Sequence, residues 1–88
     1  MIPKNASDKA TLAYLNKVGK SIGIISDNEG YNYADARYGT LKNLIGTTEG
    51  NEVVLRILTD PTLAEMSVKE LVTYIENTRA EIDVEVNE

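Results

Sequence analysis

From Asp8 to Ile82 apolar side chains return every three to four residues. That spacing matches the 3.6-residue turn of an α-helix and not the two-residue repeat of a strand. Ser7 is a suitable N-cap, and Thr11, Leu12, Leu15, Val18, Ile22 and Ile25 follow on one face, with Lys9, Asn16, Lys17 and Lys20 opposite. Gly19 and Gly23 allow two readings. In one, a continuous helix lets another backbone approach at the glycines; in the other, Gly19 closes the helix in a left-handed cap and residues 20–26 form a short strand. The periodicity favours the helix.

The segment YNYADARYGTLKNLIG places Tyr31, Ala34, Tyr38, Leu41 and Ile45 on one helical side, with Tyr33, Arg37 and Leu44 on its shoulder and Gly46 as the stop. Residues 51–59 are rich in β-branched side chains, yet a helix gathers Glu52, Arg56 and Thr59 into one narrow polar stripe. It also sets Glu52 and Arg56 in the favourable i to i+4 order, so this should be the most buried helix. Asp60-Pro61 restarts the chain for a turn through Leu63 and Met66. Ser67 to Glu70 is a capping box, opening a helix whose core stripe is Val68, Leu71, Val72, Ile75 and Ile82. Residues 81–86 alternate apolar and charged, which reads as a half-buried strand and a route to oligomers. The expected fold is all-α, a compact bundle of four to five short helices with room for a short strand near the C-terminus. The alternative is α+β, with a small sheet from residues 20–26, 31–35 and 81–86.

A chain of 88 residues makes one small domain. At this size about two thirds of the unfolded surface is buried, so stability is marginal or shared with a partner. The net charge of −5 conceals an asymmetry. Residues 1–46 carry six Lys/Arg against four Asp/Glu, a balance of +2, whereas residues 47–88 carry three against ten, a balance of −7. Four of the five tyrosines lie in the basic half, at 14, 31, 33 and 38. The chain has neither Cys nor His, so disulfides, thiolate metal sites and imidazole bases are excluded. No signal peptide or membrane-length apolar run is evident. The expected location is therefore the cytoplasm or the inside of a viral particle, and Asn5-Ala6-Ser7 reads as a chance sequon.

Two motifs invite a ligand and fail on spacing. Gly19-Lys20-Ser21 resembles the end of a P-loop, but position 14 is Tyr where the motif needs Gly, and a helical pattern precedes it instead of a strand. Ser26-Asp27-Asn28-Glu29-Gly30 is a turn; set on an EF-hand loop, it would put Ile25 where the first carboxylate belongs. A loose metal contact by Asp27 and Glu29 is the most that turn offers. The chain calls for no metal and no cofactor.

No internal repeat, linker or family signature marks the chain. Its abundance of Asn, Thr, Lys and Ile fits a small accessory protein of a phage or mobile element. Tyr31, Tyr33, Arg37 and Tyr38, with Lys17, Lys20 and Lys42, are the candidate interaction patch, because Tyr and Arg dominate binding surfaces. The alternative is that the tyrosines merely cover the core edge with their hydroxyls in water. The expected function is a non-catalytic protein-interaction module, an assembly, inhibitory or regulatory protein that self-associates. The alternative is nucleic-acid or nucleotide binding through the same Lys/Arg/Tyr patch. An enzyme is the least supported class, since no spacing pairs the carboxylates for acid-base work.

Overall fold

The computed structural model describes residues 6–26 and 33–86. Four α-helices and one 3-10 helix account for most of it, and the described residues form no strand, so the fold is an all-α bundle. Helix α1 (Asp8–Ile22) starts at Ser7, whose Oγ accepts from the Ala10 N–H at 3.0 Å. It runs through Gly19 and stops at Gly23, whose φ of 82° closes the helix in the left-handed conformation that suits glycine. Neither reading of this segment holds in full. The helix does not end at Gly19, and it does not continue to Ile25. Gly19 is buried because the chain turns back over it, so that a side chain there would meet Ile24 and Ile25 at 3.2–3.4 Å.

Past Gly23 the chain makes a single antiparallel bridge, Ile25 with Ala34. The Ser26 N–H donates to the Tyr33 carbonyl at 2.9 Å and the Asp35 N–H to the Ile24 carbonyl at 2.8 Å. The three-segment sheet is not formed. Residues 20–26 contribute this one bridge, and residues 81–86 belong to a helix.

Helix α2 (Ala36–Lys42) is shorter than the periodicity suggests. Asp35 caps it by accepting from the Arg37 N–H at 2.8 Å, so Tyr33 and Ala34 precede the helix, and Ile45 and Gly46 follow its end. Helix α3 (Thr48–Leu58) is the most buried, with seven of its eleven residues inside. At its start a Cβ on Gly50 would collide with the Leu44 carbonyl oxygen, so the backbone of the α2–α3 connection lies directly on the glycine. One turn in, buried Asn51 donates to the Ala6 carbonyl at 3.1 Å and to Asp8 Oδ1 at 2.8 Å, and accepts from the Gly46 N–H at 3.3 Å. This polar group is paid for by its partners, and it locks the start of α1 to α3. Glu52 and Arg56 pair at 3.6 Å as the spacing predicts.

Asp60 caps the 3-10 helix Pro61–Glu65, and α4 (Val68–Val86) follows from an intact capping box. The Glu70 N–H donates to Ser67 Oγ at 3.1 Å and the Ser67 N–H to Glu70 Oε1 at 3.0 Å. The core face of α4 is Leu71, Ile75, Thr78 and Ile82, while Val68 and Val72 are 40% and 42% exposed, against expectation. They lie on the edge of the stripe whose centre is set by the spacing of the four buried residues. The expected strand at residues 81–86 is helix because Ile82 alone completes that face. The alternating valines Val84 and Val86 stay in water, and Glu85 is held by Arg56 at 2.6 and 2.9 Å. Leu15, Leu41, Val53, Val54, Ile57, Leu58, Leu63, Leu71, Ile75 and Ile82 form one core drawn from every helix.

Candidate functional site

The reversal at Gly23 has a second consequence. By bringing Ile25 and Ala34 together beside the outer face of α1, it opens a groove of about 340 Å³ between α1, the bridge and α2. Asn16 and Lys20 enter it from α1, Ile25, Ser26, Tyr33 and Ala34 from the bridge, and Tyr38 from α2. The floor is braced: the Tyr38 hydroxyl donates to Asn16 Oδ1 at 2.6 Å, fixing the ring against α1. Lys42, one turn further along α2, sets its ammonium 5.9 Å from the centre of the Tyr38 ring, a cation-π distance.

The candidate residues divide accordingly. Lys20, Tyr33 and Tyr38 line the groove and Lys42 borders it through Tyr38. Arg37 is committed elsewhere. Its guanidinium grips Asp35 at 2.9 and 3.1 Å and donates through Nη1 to the Ala64 carbonyl at 2.9 Å and the Met66 carbonyl at 3.0 Å. It therefore ties the start of α2 to the connection between the 3-10 helix and α4. Lys17 is exposed on α1 and is not part of the groove wall. Tyr31 lies outside the described residues, as do Asp27 and Glu29. Asn16, Ile25, Ser26 and Ala34 escape a pattern-based reading, since Asn16 reads as a solvent-facing residue and the other three meet only through the chain reversal.

The electrostatics follow from these pairings. Hydrogen bonds from the Arg37 side chain and backbone hold the Asp35 carboxyl below its ordinary range, with a smaller contribution from the Tyr33 hydroxyl. Asp35 is thus neutralised by its own arginine, and among the described residues no carboxylate lines the groove. Lys20 and Lys42 have no ion-pair partner among the described residues. What remains is a small positive cleft with two aromatic rings, an amide, a hydroxyl and an aliphatic side chain. Such a surface suits an anionic group attached to an apolar or flat one.

Gly19, Lys20 and Ser21 lie inside α1, where the backbone is helical and forms no phosphate-binding loop. Among the described residues no three acidic side chains converge as a metal site, and no helix is long and apolar enough to cross a membrane. No protein-family model, curated protein or solved structure matches the chain.

Proposed function

We propose that this chain is a non-catalytic protein-interaction module that engages its partner through the groove between α1 and α2. The observation that supports the reading is the convergence of Lys20, Tyr33 and Tyr38 around one open cleft, with Lys42 over the Tyr38 ring and no carboxylate among the described lining residues. Stiff aromatic surface beside cations that have no ion-pair partner among the described residues is the composition of a binding hot spot. A small accessory or regulatory protein, working in the cytoplasm or within a viral particle, is the role that fits this reading.

Nucleic-acid binding is the second reading, favoured by the same lysines and rings. Magnitude counts against it. Two lysines neutralise about two phosphates, a salt slope of only about −1.4 on a single strand, whereas non-specific binders engage several times as many. Arg37, the residue best shaped for a phosphate, is occupied by Asp35.

The two readings part in a capture experiment with nuclease-treated and untreated extracts of the source cell. The immobilised chain is compared with Lys20→Glu/Lys42→Glu. A stoichiometric protein that survives nuclease and is lost on the variant is the expected result. Recovery of nuclease-sensitive material alone overturns the protein-binding reading, as does retention of the same protein by the variant.

A further inference from the structure

The charge asymmetry of the chain has a spatial counterpart at the end of α4. Its last turns carry Glu81, Asp83 and Glu85 and expose Val84 by 62% and Val86 by 75%, the two most exposed large hydrophobic side chains among the described residues. Glu81 and Val84, three residues apart, share one face of the helix. An acidic group beside an exposed valine is the complement of the groove: Lys20 and Lys42 for the carboxylate, Ile25 and the rings of Tyr33 and Tyr38 for the aliphatic side chain.

The tip of α4 cannot reach the groove of its own chain. Ile82 is buried in the core, Glu85 is gripped by Arg56, and Arg79 meets Glu49 at 3.3 Å, so the last turns are fastened to α3. The groove takes none of its walls from α4. Only another molecule can supply the tip. Asp83 adds a further tie to α3: chiefly through a shared hydrogen bond, it holds the Glu49 carboxyl above its ordinary range.

We propose that the occupant of the groove is the C-terminal end of α4 from a second copy of the chain, so that the molecules join head to tail. This rests on the reading of the groove as a protein-binding site and names its partner. The contact is heterologous: each copy offers a groove to one neighbour and a tip to the other, which generates rings where the rotation closes and open chains where it does not. One helix end in one small groove is a minor contact beside the about 1,200–2,000 Å² of a standard interface, so the association is reversible and grows with concentration.

Sedimentation velocity from about 10 μM to about 1 mM, the range of weak association, tests it. The wild type should rise in mass above the 9.7 kDa monomer as concentration increases. Lys20→Glu/Lys42→Glu, with a reversed groove and an intact tip, and Glu81→Gln/Val84→Gln, with a silent tip and an intact groove, should each weaken association on the order of tenfold or more. Circular dichroism checks that both remain helical. Mixed together, the two variants should form a one-to-one dimer and grow no further, because each supplies the half that the other lacks. A wild type that stays monomeric throughout overturns the proposal, and so does an assembling wild type whose variants fail to pair or associate undiminished. A monomeric wild type that still captures a foreign protein through Lys20 and Lys42 removes the self-docking alone and leaves the groove reading standing. Loss of both removes both.

Discussion

Three glycines in this chain face three different amounts of space, and a single methyl group separates them. At Gly50 the Leu44 carbonyl occupies the place of a Cβ, so Gly50→Ala must push apart α3 and the connection before it. The expected cost is about 3 kcal/mol, the upper part of the range for overpacked sites. At Gly39, inside α2, a Cβ meets nothing within 4 Å. Gly39→Ala should therefore stabilise by about 0.5–1 kcal/mol, through lower chain entropy and better helix propensity. Urea denaturation of the two variants checks both signs, and a neutral Gly50→Ala would contradict the close approach. Gly19 lies between these cases, with isoleucine side chains that can yield by a few tenths of an ångström. Asn51 sets a polar counterpart: Asn51→Leu leaves the Asp8 carboxylate and the Gly46 N–H without their buried partner, at about 2 kcal/mol.

At the scale of the element, the caps carry the pH dependence. Asp35 is held below its ordinary pKa by Arg37, Asp60 by Thr62 and Glu70 by Ser67. Each prefers to be ionised in the folded chain, so each contributes stability that is present above its unfolded pKa and lost as pH falls through the folded value. Glu49 works in the opposite sense: raised by Asp83, it favours the fold while protonated and gives that up as pH rises through its folded pKa. Thermal stability should therefore improve slightly from neutral pH toward mild acid and fall steeply below about pH 4. Glu49→Gln should abolish the first change and leave the second. The capping box and Asp60 were legible because each joins residues two or three apart. The narrow polar stripe of Glu52, Arg56 and Thr59 likewise marked α3 as buried. What misled was alternation at residues 81–86, since a period of two is visible in sequence whether or not the second apolar set finds anything to pack on. The early start assigned to α2 has a related cause: Tyr31 and Ala34 fit the helical period, but Asp35 caps later. Of the groove, Lys20, Tyr33, Tyr38 and Lys42 could be named as types of residue that bind. Asn16, Ile25, Ser26 and Ala34 could not, because a reversal at Gly23 and one backbone bridge create their neighbourhood.

For the molecule as a whole, a domain of this length has a net stability of about 4–13 kcal/mol, so the Gly50→Ala penalty alone is a large share. The −7 balance of the second half adds self-repulsion that salt screens. Raising salt from about 20 to about 200 mM, which shortens the screening length several-fold, should raise the melting temperature of the monomer while weakening contacts between groove and tip. Opposite responses in one titration separate folding electrostatics from association electrostatics; a melting temperature that falls with salt would show that the internal ion pairs outweigh the repulsion. The unbroken run of α4 adds a geometric corollary. Nineteen residues at 1.5 Å each make a strut of about 28 Å, buried along one face from Leu71 to Ile82 and presenting the acidic tip at its C-terminal end. Copies strung along such struts would inherit their spacing from it, as bricks inherit a course height, and splicing two extra turns into α4 should lengthen the axial repeat by about 10 Å while keeping the tip at nearly the same bearing.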